Sequence, residues 1–215
     1  MPDLTARILA CYTGAVYDVL REMGMADCVL PHDVRPLDPR AKLAGPVWTC
    51  SGSPRPGLTA DDSLLSWTGM LSAAPAGAVV VCQPNDSTIA HMGELSAETL
   101  KRRGILGYVV DGGCRDVDFL LRLGFPVFCR YYTPVDVVGR WRLESMAQPV
   151  TIGRVKISTG DYLLGDADGV VVIPQAIAEE VVARTEKVIS SESALRKAIL
   201  SGEDPQQAYL KYRLF

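Results

Sequence analysis

The fold class is most readily recognised from residues 107–116, Gly107-Tyr108-Val109-Val110-Asp111-Gly112-Gly113-Cys114-Arg115-Asp116. This stretch passes from the apolar, β-forming run Ile105–Val110 through a glycine turn to a helix predicted over Asp116–Leu123. Gly124-Phe125-Pro126 then leads into a second apolar strand, Val127–Arg130. A succession of strand, turn, helix and strand is typical of a layered α/β protein.

The same alternation extends along the chain in both directions. Upstream, the patterns predict a strand over Leu43–Cys50 followed by a loop over Ser51–Gly57, a helix over Leu64–Ala73, a strand over Ala78–Cys82 and a helix over Glu94–Arg103. Downstream they predict short hairpin strands at Val150–Ile152, Val155–Ile157, Asp161–Leu164 and Gly169–Pro174. Long helices are predicted at the two ends, over 4–23 and 175–200. No repeat or linker is found, so residues 1–215 are expected to form a single domain with an α/β core over 43–174.

Composition excludes several classes of protein. The 215 residues are 48% hydrophobic, and 22 Lys and Arg against 25 Asp and Glu give a net charge of −3, without the basic excess that nucleic-acid binding needs. The apolar runs are shorter than the roughly 20 residues of a membrane span, and the first residues do not resemble a signal peptide, so we expect a cytoplasmic protein. The six cysteines form no Cys-x-x-Cys pair and are predicted to be reduced, and two histidines cannot build a multi-histidine zinc site.

Two neighbouring features carry possible chemistry. The predicted helix start Gly93-Glu94-Leu95-Ser96 exposes backbone N–H groups at the positive end of a helix dipole, which suits a carboxylate or phosphate. After the next strand, Gly112-Gly113 let the backbone turn closely, so that Arg115 and Asp116 project from the mouth of the sheet. Arg offers a bidentate fork to a carboxylate and Asp suits Mg²⁺ or Mn²⁺, an arrangement that stabilises an enolate. Arg-Asp pairs at helix starts also act as caps or surface ion pairs, so this pattern alone leaves both interpretations open.

The motifs as a set resemble those of the RraA-like family, which includes the 4-hydroxy-4-methyl-2-oxoglutarate aldolases. The resemblance rests on Gly93-Glu94-Leu95, on the stretch 107–116, on Gly124-Phe125-Pro126-Val127-Phe128 and on the stretch 160–174, and it covers roughly Leu43–Leu200. It implies an α-β-β-α sandwich, a homotrimer or homohexamer, and an active site between neighbouring subunits. The aldolases of this family use Mg²⁺ or Mn²⁺ to stabilise a pyruvate enolate.

The resemblance also implies roles for individual residues. Asp116 would bind the metal, Arg115 would hold the substrate's carboxylate or keto oxygen, and the amides of Leu95 and Ser96 would take the pyruvate carboxylate. The aldolase signature of the family is an Asp, twenty residues, then Arg-Asp, and this chain has Glu94 at the first position. The carboxylate is kept, one methylene longer, and Glu94 would carry a proton through metal-bound water.

The function that the resemblance implies is a metal-dependent lyase. It would cleave a 4-hydroxy-2-oxo acid to pyruvate and a second keto acid, with oxaloacetate decarboxylation as a second reaction, and Glu192 would reach into the neighbouring subunit's site. One alternative is a non-catalytic regulator of ribonuclease E, although family members of that kind lack the acid found here at Glu94. Another is a related lyase acting on a different enolate-forming substrate.

Several further residues have two interpretations each. His91 precedes Gly93 and either contacts substrate or is a solvated loop histidine. Tyr131 and Tyr132 follow a strand, and the pleat of an extended chain places consecutive side chains on opposite faces. At most one of the two tyrosines is therefore expected to line the pocket. The stretch Asp166–Gly169 fits a hairpin turn better than a calcium loop.

Overall fold

The computed structural model describes residues 3–213, and the side chains of all of these except 193 and 194. The helices are α1 (Leu4–Ala10), α2 (Thr13–Glu22), α3 (Ala60–Ala73), α4 (Glu94–Arg102), α5 (Val117–Leu123), α6 (Ala178–Leu200) and α7 (Pro205–Tyr212). The strands are β1 (Arg35–Pro36), β2 (Leu43–Pro54), β3 (Val79–Gln83), β4 (Gly107–Val110), β5 (Gly113–Cys114), β6 (Val127–Cys129), β7 (Tyr131–Tyr132), β8 (Trp141–Met146), β9 (Val150–Ile152), β10 (Val155–Ile157), β11 (Tyr162–Asp166) and β12 (Gly169–Ile173).

The long strand β2 joins the two parts of the main sheet. The order of strands is β1-β6-β4-β3-β2-β11-β12, and β8 also pairs with β2. The first residues of β2 pair antiparallel with β11, whereas Val47–Ser51 pair parallel with β3. Strands β3, β4 and β6 continue the parallel part. The α/β alternation around residues 107–116 therefore forms the parallel half of the sheet, within the layered α/β arrangement that the sequence predicts.

Alternating side chains divide the protein into layers. In β3, Val80 and Cys82 pack in a core with residues of α3, α4 and α5, whereas Val79 and Val81 lie in a second core. Strand β12 contributes Val172 to that second core and turns Val171 toward a third core beneath α1, α2 and α6. The layers thus run helix, strand, strand, helix, which confirms the predicted α-β-β-α sandwich.

The single helix predicted over 4–23 is wrong in one respect, because the chain breaks at Cys11 and Tyr12 and forms α1 and α2. The cause is Asp166, whose carboxylate accepts hydrogen bonds from the backbone N–H of Thr13 at 2.9 Å and from its hydroxyl at 2.7 Å. A helix start is stabilised when a side chain satisfies its unpaired N–H groups. Asp166 also accepts from the N–H of Asp168 at 3.0 Å, within the hairpin turn predicted for this stretch.

Three further element boundaries differ from expectation. The helix predicted over Leu64–Ala73 begins earlier, at Ala60, because the side chain of Thr59 caps it. The loop predicted from Ser51 is wrong in its first part, because β2 runs on to Pro54 where the unpredicted strand β8 pairs with it. The C-terminal helix predicted over 175–200 begins at Ala178, after a 3-10 turn over Gln175–Ile177, and α7 follows it. All six cysteines are buried and have free thiols in this structure. Among the described residues, no helix is long and apolar enough to cross a membrane.

Candidate active site

A cleft of about 500 Å³ lies where the start of α4 meets the start of α5. Two extended segments hold these helix starts together: the N–H of His91 donates to the carbonyl of Gly113 at 2.8 Å, and that of Arg115 donates to the carbonyl of Met92 at 2.9 Å. The predicted residues Gly93, Glu94, Leu95, Ser96, Arg115 and Asp116 all line this cleft. The start of α4 and the residues just before α5, which lie on either side of β4 in the sequence, therefore meet at one site.

Asp116 is placed by an unusual backbone conformation. Its φ of 58° and ψ of 39° lie in the left-handed region, which is uncommon for a residue other than glycine. Its Oδ2 atom accepts a hydrogen bond from the N–H of Glu94 at 3.0 Å, so the carboxylate lies against the first residue of α4. A Cβ at Gly93 would be 2.7 Å from the same oxygen. The backbone conformation does not require glycine at position 93, because its φ of −153° is extended and any residue adopts it. Glycine is needed there because a side chain would have no space.

The start of α4 is suited to bind an anion. Gly93 has no side chain with which to cap the helix, and Leu95 and Ser96 belong to the first turn, whose N–H groups have no partner within a helix. The Ser96 hydroxyl accepts a hydrogen bond from the indole N–H of Trp67 at 2.8 Å, which leaves the hydroxyl proton available to another acceptor. The N–H groups and the helix dipole both favour a carboxylate here.

Arg115 lies between two carboxylates. Its Nη1 donates to Oδ2 of Asp136 at 3.2 Å, and its Nε lies 3.6 Å from Oδ2 of Asp116. The other oxygen of Asp136 accepts from Nη1 of Arg140 at 3.1 Å and from the N–H of Val138 at 3.2 Å. The sequence reasoning did not identify Asp136, which also lines the cleft.

His91 is fully buried beside the cleft, so its interpretation as a solvated loop histidine is wrong. Its ring meets that of Trp141 edge to face, with centroids 5.2 Å apart. Burial lowers the pKa of His91 to about 4, against an opposing effect of the Asp86 carboxylate. Neither ring nitrogen has a hydrogen-bond partner among the described residues. His91 is therefore neutral near pH 7 and does not serve as a cation in the site.

The two tyrosines have separate surroundings. The Tyr131 hydroxyl donates to the carbonyl of Ile89 at 3.0 Å, and burial raises the pKa of Tyr131 to about 12. Tyr132 is exposed and lines a shallow second cleft together with Arg115 and Asp116. Glu192 lies on α6, where its carboxylate accepts a hydrogen bond from the Tyr12 hydroxyl, and it is not among the residues that line the main cleft.

Comparisons with known proteins agree with this architecture. The sequence model of the family described as "RraA-like: Aldolase/RraA" matches residues 13–172. The chain belongs to the RraA-like family. It is 31% identical over 182 residues to a protein of Halalkalibacterium halodurans named "Putative 4-hydroxy-4-methyl-2-oxoglutarate aldolase", covering 85% of this chain and 83% of that one.

Solved structures of similar proteins share the fold of this RraA-like chain. An uncharacterized protein from Pseudomonas syringae pv. tomato superposes with a TM-score of 0.85 at 27% identity, covering 97% of this chain and 93% of the other. Streptomyces coelicolor RraAS2, described as an unusual member of the RNase ES inhibitor RraA protein family, gives a TM-score of 0.82 at 27% identity, covering 92% and 99%. The RraA-like family thus contains proteins named for an aldolase and proteins named for ribonuclease inhibition.

The sequence of this RraA-like chain gives little sign of two of the cleft residues. Asp136 lies 21 residues beyond Arg115, its partner, and Trp67 lies 29 residues before Ser96. Only the order of strands in the sheet brings these pairs together. A usable signal for Asp136 is its position shortly after the predicted strand Val127–Arg130, because parallel strands of one sheet end at the same edge.

Proposed function

We propose that this protein is a divalent-metal-dependent carbon–carbon lyase that cleaves a 4-hydroxy-2-oxo acid to pyruvate and a second keto acid. Oxaloacetate decarboxylation through the same pyruvate enolate is a second reaction of the site. The observation that carries the proposal is the meeting of Glu94, Arg115 and Asp116 around Gly93, which brings two carboxylates, a guanidinium and the start of α4 into one cleft.

The residues of the cleft fit a hard divalent cation that keeps most of its water. Asp116 offers a carboxylate that is 37% exposed, and only one of its oxygens accepts the N–H of Glu94. Among residues 3–213, no group of three or more His, Cys, Asp or Glu side chains could hold a metal ion. Mg²⁺ and Mn²⁺ suit such a site, because Mg²⁺ is commonly bound through one or two carboxylates with water and substrate completing the octahedron. When bound at Asp116, the cation supplies Lewis-acid stabilisation of negative charge on the 2-oxo oxygen.

The protein's own groups bind and orient the substrate. The N–H groups of Leu95 and Ser96 take the carboxylate next to the 2-oxo group, helped by the dipole of α4. The guanidinium of Arg115 holds a second oxygen of the substrate, either a carboxylate oxygen or the keto oxygen. Two separate anchors fix the substrate's orientation, and this orientation lowers the entropic part of the barrier.

The retro-aldol step needs a base at the 4-hydroxyl group, and we assign this role to Glu94. Its carboxylate, acting through a water molecule, takes the hydroxyl proton while the bond between C3 and C4 breaks. The electron pair of that bond forms the pyruvate enolate, and the former C4 becomes the carbonyl carbon of the second keto acid. Return of the proton to C3 releases pyruvate, so atoms and charge balance without an external oxidant or reductant.

The experiment that tests this function measures pyruvate release from 4-hydroxy-4-methyl-2-oxoglutarate and from oxaloacetate. Each substrate is supplied with Mg²⁺ or Mn²⁺ and again with excess chelator. The expected result is pyruvate formation that stops with chelator and returns when metal is restored. Folded protein that releases no pyruvate from either substrate would refute the proposed lyase in this form.

A regulator of an RNA-processing enzyme is the second candidate, favoured by the similarity to RraAS2. A binding protein of that kind needs no metal to hold its partner, so chelator-sensitive turnover separates the two functions. We also propose a homotrimer or homohexamer in which Glu192 of one subunit approaches the cleft of the next. Light scattering tests this assembly, and a monomer would remove Glu192 from the site.

A further inference from the structure

We propose that Asp136 is a positioning residue for the reaction described above, holding the guanidinium of Arg115 in the orientation that receives the substrate. This inference rests on the proposed function and deepens it. Asp136 lines the same cleft as Arg115 and accepts the hydrogen bond from its Nη1 at 3.2 Å. Among the described residues this is the one hydrogen bond that the Arg115 side chain donates, and the carboxylate of Asp116 lies farther away, 3.6 Å from Nε.

Asp136 is itself held in place by its own loop. Its Oδ1 atom accepts from the N–H of Val138 at 3.2 Å and from Nη1 of Arg140 at 3.1 Å. The preceding residue ties the loop to the segment before α4, because the carbonyl of Val135 accepts from the N–H of Ala90 at 2.7 Å. The carboxylate therefore has a fixed position relative to the segment that leads into α4.

The two carboxylates constrain different parts of the guanidinium. Asp116 lies 3.6 Å from Nε, and Asp136 is hydrogen-bonded to Nη1. Because the guanidinium is planar, contacts at two of its nitrogens fix the plane. The N–H groups of Nη2 and the second hydrogen of Nη1 remain for the substrate. Removing Asp136 leaves only the longer contact with Asp116, and the guanidinium of Arg115 can then rotate away from the substrate.

A purely electrostatic role for Asp136 predicts the opposite effect on anion binding. Asp136 brings a negative charge near the place where the substrate carboxylate binds, so its removal alone would strengthen the attraction of Arg115 for an anion. A positioning role predicts weaker binding, since the hydrogen-bonded geometry of Arg115 is lost. The sign of the change in affinity therefore distinguishes the two roles.

The test uses oxalate, a planar dianion that resembles the pyruvate enolate, with the full-length protein in the presence of Mg²⁺. Isothermal titration calorimetry compares the wild type with Asp136→Ala, which we expect to bind oxalate at least about ten-fold more weakly, the scale of a lost charge-assisted hydrogen bond. Asp136→Asn keeps the shape and one acceptor oxygen, so it is expected to recover part of the loss. A crystal structure of Asp136→Ala is expected to show the Arg115 guanidinium displaced.

Glu144→Gln is the matched control. Glu144 accepts from Arg55 in an ion pair of similar exposure, 36% against 33% for Asp136, but it lies outside the cleft. This variant is expected to bind oxalate like the wild type, and the thermal midpoints of all the variants are expected to stay close together, because exposed ion pairs contribute little to stability.

The possible outcomes separate the inference from the proposed function. Equal or tighter oxalate binding by both Asp136 variants, while the wild type binds oxalate, would overturn the positioning role and leave the lyase proposal standing. An Arg115 guanidinium that stays in place in Asp136→Ala would also overturn the positioning role. A wild-type protein that does not bind oxalate at all would overturn the proposed function and this inference with it.

Discussion

The replacement Gly93→Ala tests the geometry of the cleft most directly. The added Cβ would lie 2.7 Å from Oδ2 of Asp116, and ordinary contact begins at 3.4 Å, so the carboxylate must move by 3.4 − 2.7, or about 0.7 Å. It would also lie 3.1 Å from Cγ of Arg115. The backbone at position 93 is extended and accepts alanine without strain, so the effect of the substitution comes from space alone.

A displacement of this size is expected to reduce kcat/KM about a hundred-fold, because misplacing reacting groups by about 1 Å lowers the reaction rate by about that factor. This corresponds to about 2.7 kcal/mol of lost transition-state stabilisation. Stability is expected to change little, because the carboxylate of Asp116 is 37% exposed and can rotate away. The assay measures pyruvate release from oxaloacetate with Mg²⁺, coupled to lactate dehydrogenase, alongside thermal unfolding.

Gly69→Ala is the matched control, because Gly69 lies within α3 and a Cβ there has nothing within 4 Å. That variant is expected to keep full activity and to gain about 0.5–1 kcal/mol of stability, the usual difference between glycine and alanine inside a helix. Wild-type kcat/KM in Gly93→Ala would contradict this prediction, since the cleft would then tolerate the displacement of Asp116.

Four further substitutions have defined outcomes. Asp116→Ala should abolish metal-dependent pyruvate release with an unchanged circular dichroism spectrum, and retained turnover would contradict the metal assignment. Arg115→Lys should raise KM and lower kcat in steady-state assays, because a point charge replaces the planar fork; unchanged kinetics would exclude this residue from the site. Glu94→Asp should alter kcat on 4-hydroxy-4-methyl-2-oxoglutarate, where a large gain would show that the longer side chain is suboptimal for that substrate, and an unchanged kcat would exclude Glu94 as the base. The pKa of His91 falls from 6.5 to about 4 on folding, so the unfolded state binds the proton more readily than the folded state. As pH falls from 6.5 to 4, the wild type should therefore lose up to about 3 kcal/mol of its free energy of unfolding. Denaturant titrations of His91→Leu should lack this part of the pH dependence, and an identical pH dependence in the variant and the wild type would contradict it.

Local sequence was enough to predict the residues of the cleft that lie on helix starts. Gly93, Arg115 and Asp116 stand where a helix follows a loop or a strand, and glycines mark both places. The residues that complete the cleft depend on distant contacts: Trp67 reaches Ser96 only because α3 and α4 pack on the same face of the sheet.

The same reason accounts for the errors in the predicted elements. The break between α1 and α2 comes from Asp166, which is 153 residues away from its partner Thr13. Strand β8 alternates buried and exposed residues over Trp-Arg-Leu-Glu-Ser-Met, a short pattern rich in charge, and it forms a strand because β2 offers an edge for pairing. Periodicity records which face of an element is buried and carries no information about a partner from another part of the chain.

The contact between Asp166 and Thr13 also has a consequence for how the protein unfolds. One carboxylate holds the start of α2 and the turn between β11 and β12, so fraying of the hairpin removes the cap of the helix, and fraying of the helix leaves the turn carboxylate without its partner. We therefore expect the helix and the hairpin to open together. In hydrogen exchange, the amides of α2 are then expected to be protected to the same degree as those of β11 and β12.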